Sequence, residues 1–274
     1  MLEKYKEKKG YNQTAISGII ININGDVWIK KKNKSEQKVF IGNLIEIEDL
    51  IQTSDDSFVD IMFEDRFQIR VLSNSSLQIN LQNQVWHIKQ NFGRAVYMVK
   101  KGIDVPLLVE ASSFLVRVVG TFFYVENEKD LLVEVVEGTV EILKHDPNTK
   151  EIQYLDKLDK HEQILFESKR EEFQKKVSKN SELVVIFSEM SKQAEIYNND
   201  EIWESLSKIP NIKDKKEIET LYNRTLEKIK LIDDRIVEGI IVSQHGDIVI
   251  LHTTDGVKVI ELDKIKEIIY EHTQ

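Results

Sequence analysis

The sequence contains no cysteine. That absence excludes disulfides, thiol nucleophiles and Cys-ligated zinc or iron–sulfur centres, and it leaves the redox compartment open. Proline is nearly as scarce, with three residues among 274, so the 11 glycines carry most of the chain's punctuation. No apolar run approaches the roughly 18–20 residues of a membrane span, and the start MLEKYKEKKGYNQ is charged without the apolar core of a signal peptide. Positive charge is in deficit: 38 Lys and Arg against 47 Asp and Glu give a formal charge of -9, a field that repels phosphate backbones. No nucleic-acid partner is expected. What the chain does have is a hydrophobic fraction of 41%, enough to bury a sizeable core in one or two domains.

From Ile16 to about Phe166 apolar residues alternate with period two, as in strands with one buried face. Ile19, Ile21 and Ile23 lead into Asn24-Gly25, and Val27 and Ile29 follow; Asn-Gly between alternating runs is a strong hairpin signal because both turn positions need positive φ. Val59, Ile61 and Phe63 turn at Glu64-Asp65-Arg66 into Phe67, Ile69 and Val71, and Leu77, Ile79 and Leu81 alternate with Gln78, Asn80 and Gln82. The run FLVRVVGTFFYV is broken once, at Gly120-Thr121, and an isolated glycine in a strand marks a bulge or a close backbone approach. A second glycine step follows at Glu137-Gly138, before Val140 and Ile142.

Near residue 167 the period changes. Leu183, Ile186, Phe187, Met190 and Ala194, then Ile218, Leu221, Tyr222, Leu226 and Ile229, fall three and four apart and predict two or three amphipathic helices with Pro210 in a break. Such helices serve as a packed spacer or as a docking face. The last stretch returns to strands, with turns at His245-Gly246-Asp247 and Asp255-Gly256, a three-stranded meander resembling a small SH3- or Sm-like piece. A short echo, GII followed by Gly-Asp at Gly18 and again at Gly239, reflects shared hairpin chemistry.

Histidines and carboxylates cluster only at His145-Asp146 and at Asp156, Asp159 and His161, both in charged, loop-like sequence with no positioned nucleophile. His87, His245 and His252 stand alone without the His-x-x-x-His spacing of a metal site. No catalytic group, metal site or cofactor is expected. The basic run Lys30 to Lys34 reads as a solvated turn, and the acidic segments lack the loop spacing of a calcium site. Trp28, Trp86 and Tyr97 would suit a sugar ligand if exposed.

In order, GNLIEIEDLIQTSDDSFVDIMFEDRFQIRVLSNSSLQI, VVGTFFYV, VEVVEGTVEI and DKHEQILF resemble the FecR domain of bacterial envelope regulators. The matching positions are Gly42, Asp49, Thr53, Ser57, Ser76, Gly120, Thr121, Phe123, Glu137, Gly138 and Val140. The departures are Asp65-Arg66 where the family commonly has Asp-Gly, and Val119 in place of an arginine before Gly-Thr. The anti-sigma segment and membrane helix of the best-known members are not seen ahead of the domain.

The resemblance implies a mainly β fold, a FecR-like antiparallel sandwich or solenoid, with Gly120-Thr121 as a structural corner. The expected layout is a flexible segment over 1–15, the FecR-like domain over 16–167, a helical segment over 168–235 and a small β subdomain over 236–274. The function it implies is a non-catalytic envelope scaffold that binds protein partners, with self-association as a further option and a glycan- or small-ligand-binding module as the alternative. A periplasmic or envelope location would require a signal or anchor missing from this chain; the alternative is cytoplasmic.

Overall fold

The computed structural model describes residues 18–32, 35–63, 66–82, 85–102, 107–118, 120–146, 149, 151–168, 172–178, 180–197, 199–210 and 212–269. The expected flexible segment 1–15, Asn33 and Lys34 of the basic run, the turn residues Glu64 and Asp65, and Val119 lie outside these. The chain divides into two units. One comprises Ile20–Ile41 and Ile47–Asn198; the other comprises Met1–Ile19, Gly42–Glu46 and Asn199–Gln274.

In chain order the strands up to the first helix are β1 (Gly18–Asn24), β2 (Val27–Lys30), β3 (Glu36–Lys38), β4 (Leu44–Ile45), β5 (Leu50–Thr53), β6 (Phe58–Phe63), β7 (Phe67–Val71), β8 (Ser76–Gln82) and β9 (Val85–Val99). Then follow β10 (Leu107–Ala111), β11 (Phe114–Val118), β12 (Phe122–Asn127), β13 (Leu131–Glu137), β14 (Thr139–His145), β15 (Ile152–Asp159), β16 (Glu162–Glu167) and β17 (Glu172–Val177), and α1 (Ser181–Tyr197). In the larger unit the strands form two layers. The first sheet runs β1-β6-β7-β9-β12-β13-β16-β17. The second runs β3-β2-β5-β8-β9-β10-β11-β14-β15.

β9 belongs to both layers. Its residues 85–92 pair with β8 and 86–90, in parallel, with β10, while 95–99 pair with β7 and 93–98 with β12. The change of layer falls at Gly93, whose φ of 86° is open to glycine at little cost. Inner faces meet through large side chains: Trp86 of the second sheet lies 5.5 and 5.4 Å from Phe63 and Phe67 of the first, and Phe114 lies 4.5 Å from Phe166. Where β9 turns, the core is polar but satisfied. Buried Tyr97 donates to Gln90 Oε1 at 2.8 Å, and Gln90 Nε2 donates to the carbonyls of Gly93 and Val125. Burial pushes the Tyr97 hydroxyl far above its ordinary value.

β15 and β17 end the two sheets at one side. Lys175 bridges these two edge strands from the surface: its Nζ donates to the Lys157 carbonyl at 2.7 Å and lies 2.9 Å from Glu162 Oε2. A lysine on an edge strand discourages edge pairing.

In the smaller unit α2 (Asp200–Lys208) starts at Asn199, whose side chain accepts from Glu201 N, and α3 (Lys215–Tyr222) starts at Asp214, which accepts from Glu217 N. β18 (Glu227–Leu231), β19 (Ile236–His245), β20 (Ile248–Thr253), β21 (Gly256–Glu261) and β22 (Ile265–Ile269) form one sheet in the order β21-β20-β19-β18-β22. It does not close into a barrel among the described residues. Its core is Ile229, Leu231, Val249, Leu251 and Ile260.

Two stretches expected to be helical are strands. Phe173 to Val177 alternate in register with β16 despite their charge, and α3 stops at left-handed Asn223, so that Glu227, Ile229 and Leu231 bury alternate positions of β18. The terminal β piece therefore has five strands rather than three. Among the described residues no helix is long and apolar enough to cross a membrane.

Candidate functional site

The expected motif residues mostly become corners. One device recurs three times in the larger unit: a glycine backs onto a hydroxyl that directly precedes a strand, and the N–H after the glycine donates to that hydroxyl. Asp26 N donates to Ser57 Oγ at 2.9 Å, Arg94 N to Ser75 Oγ at 2.7 Å and Thr139 N to Thr121 Oγ1 at 3.1 Å. Each hydroxyl donates onward, Ser57 to the Asp55 carbonyl, Ser75 to Ser73 and Thr121 to Thr139. A Cβ on Gly25, Gly93 or Gly138 would stand 2.3, 2.3 or 2.8 Å from its hydroxyl oxygen, so each glycine is fixed by contact.

Thr53 makes a related latch, donating to the Leu72 carbonyl and accepting from Ser75 N. Sequence alone pointed to Ser76, which accepts from Asn91 at 3.5 Å; the latch itself is built by Ser75 and Gly93, both missed. A glycine followed by a polar residue inside the longest strand pattern is the signal that could have found them.

The remaining motif residues make contacts within their own unit. Phe123 stacks on Tyr97 with centroids 4.8 Å apart, Val140 is buried between β11 and β15, and Asp49 is buried with Lys31 Nζ 3.6 Å away. Gly42, in the smaller unit, has its carbonyl bonded to Val259 N, and a Cβ there would lie 2.1 Å from the Val259 carbonyl. Glu137 accepts from Lys101 Nζ at 2.7 Å, and that bond holds its carboxyl below the ordinary value.

Thr121→Val should cost about 1–3 kcal/mol by leaving the Thr139 N–H and carbonyl unpaired, while Thr121→Ser should keep most of the stability; urea midpoints of the two variants test this. Glu162 is depressed like Glu137, chiefly by the Asp159 backbone N–H and Lys175. Depressed carboxylates contribute stability above their unfolded value and lose it as pH falls through the folded one. The melting temperature should therefore fall as pH drops below about 4.3, as read by thermal scans across that range.

The densest buried charge lies under α1. In the β6–β7 hairpin Asp60 stands directly opposite Arg70. Arg70 Nε and Nη2 donate to Asp60 at 2.7 and 2.8 Å, Nη1 donates to Glu189 of α1 at 2.7 Å, and Asn22 donates to Asp60 at 3.1 Å. The guanidinium also sits 4.6 Å from the Phe58 ring centroid. Burial raises the Asp60 carboxyl above its ordinary value, with the Arg70 fork pulling the other way. On Arg70 burial acts to lower, but bonds and charge from Asp60 and Glu189 outweigh it and hold the guanidinium high. Around this network Leu183, Ile186, Phe187 and Met190 of α1 pack on Leu72, Val96, Met98, Phe122, Tyr124, Leu132 and Val136. The sequence reading passed over Asp60 and Arg70, although their equal distance from the turn was a usable signal.

The histidine clusters do not converge. His145 pairs with Ile152 at one end of the β14–β15 hairpin and Thr139 with Asp159 at the other, about 20 Å of strand away. His161 sits beyond Asp159, in the turn to β16, with its N–H on the Val135 carbonyl. No group of metal-ligating side chains forms among the described residues.

The smaller unit holds an array the sequence did not suggest. Ser205 Oγ lies 2.8 Å from His245 Nε2, and His245 Nδ1 lies 3.3 Å from Glu201 Oε2. Glu201 is mostly in solvent, so this array clasps α2 to the end of β19 outside any shielded environment. His252 is a second anchor, fully buried between the Tyr222 hydroxyl and the Ile212 carbonyl.

Two layered, mainly antiparallel sheets cornered by glycine–hydroxyl latches and capped by one helix define a β scaffold. The family model described as FecR protein matches residues 49–141, and this stretch of the chain is similar to that family. Two solved structures, each described as a "putative anti-sigma factor" from Parabacteroides distasonis ATCC 8503, are similar. The first is 17% identical with a TM-score of 0.43, covering 50% of this chain and 64% of that one. The second is 19% identical with a TM-score of 0.41, covering 47% and 59%. The chain thus spans less than two thirds of either. No curated protein matches.

Proposed function

We propose that this chain is a regulatory module of the bacterial cell envelope that acts by binding protein partners and performs no chemistry of its own. The match of residues 49–141 to the FecR family, one of regulators, carries the reading. It is supported by where the motif residues sit: Ser57, Thr121 and Gly138 spend their hydrogen bonds and contacts on the chain's own corners. A glycan-binding role has little to stand on, because Trp86 and Tyr97 are core residues and only Trp28 is half-buried.

The test is affinity capture from envelope and soluble fractions with this chain as bait, read by mass spectrometry alongside light scattering. One envelope protein recovered reproducibly and rebinding in purified form is the expected result. Recovery of glycan alone, or of nothing beyond the bait, would overturn the reading.

A further inference from the structure

We propose that the outer face of the first sheet is a helix-binding groove, that α1 is its resident ligand, and that an amphipathic helix of a partner protein takes α1's place. The inference rests on the reading of the chain as a partner-binding regulator and names the surface and the partner's chemistry. Leu183, Ile186, Phe187 and Met190 occupy the groove at i, i+3, i+4 and i+7, the anchor spacing of a helix laid in an apolar groove. Glu189, at i+6, supplies the charge. Arg70 has two of its donors fixed on Asp60 and presents Nη1 to the helix, so the groove floor carries one oriented cation for one carboxylate.

The seam has the composition of an exchangeable interface. The Glu189 side chain is 55% exposed, so water and salt reach the ion pair from the helix side. Gln68, wholly buried beneath α1, reaches Gln193 only at 3.5 Å, and its Oε1 has no hydrogen-bond partner among the described residues. Apolar anchors bordered by polar contacts of this quality resemble a transient interface more than a sealed core. The partner is a helix with apolar residues at i, i+3, i+4 and i+7 and Asp or Glu at i+6. A Lys or Arg at that position would face Arg70 and be rejected.

The probe is a fluorescein-labelled peptide of α1, SELVVIFSEMSKQAEIY, and its counterpart with Lys at the place of Glu189. The targets are the full wild-type chain and the full chain carrying Phe187→Ala and Glu189→Gln, which loosen the resident helix. By fluorescence anisotropy the peptide should bind the loosened chain at least about tenfold more tightly than the wild type, and the Lys peptide should lose at least about tenfold. Equal binding of the two peptides would overturn the proposal.

Native-state hydrogen exchange on the wild-type chain provides a reading that does not depend on the variant folding. Amides of α1 should exchange at least about tenfold faster than those of β12, and equal protection would mean that α1 is a fixed part of the fold. A captured partner that the α1 peptide fails to displace would sink the groove proposal while leaving the broader function intact.

Discussion

Replacing Arg70 with methionine should cost about 3–5 kcal/mol, the range for breaking a buried ion pair from one side. Asp60 is wholly buried and, among the described residues, keeps Asn22 as its hydrogen-bond donor once the guanidinium is gone. The methionine fills part of the volume and satisfies none of the charge. The double variant Asp60→Leu with Arg70→Met should recover most of the loss, because it removes the stranded carboxylate along with its partner. Urea denaturation of the wild type, both single variants and the double variant gives the comparison. A double variant as unstable as Arg70→Met would mean that the pair itself, and not the unpaired carboxylate, carries the energy.

The second large effect is expected at Gly120. Its φ is 65°, and a Cβ there would lie 2.8 Å from both Lys101 Cα and Lys101 Cγ. The side chain of Lys101 can swing away; its backbone cannot. Gly120→Val adds a β-branched residue in a left-handed conformation to an overpacked contact, and the two should together cost about 3 kcal/mol. The Gly120 carbonyl lies 2.7 Å from where a Gly138 Cβ would be, so displacement at one corner is passed to the next. Gly120→Ala should cost less, since it lacks the branching. Unchanged thermal stability in the valine variant would refute the corner assignment.

Much of the layered fold was legible because alternation with period two is a local property. Ile19 and Ile21, Val59 and Ile61, and Leu77 and Ile79 are all buried where their spacing puts them. The breaks were legible too, since few residues other than glycine tolerate φ at Gly120. Charge hid the remaining strands: EFQKKV and EKIKL have the composition of helices and become strands because β16 and β19 offer paired edges. The latches escaped for a different reason. Gly93 and Ser75 are far enough apart in sequence that only the pairing of β8 with β9 unites them. The Ser205, His245 and Glu201 array depends likewise on α2 meeting a hairpin 40 residues later.

The fifteen-residue strand β9 also governs how the larger unit comes apart. Because its first half is stitched into one sheet and its second half into the other, neither layer can separate without stripping the shared strand from its neighbours. Two sheets that could have melted one after the other are thereby joined into a single cooperative transition, so amides of β6 in one layer and of β14 in the other should lose their hydrogen-exchange protection together.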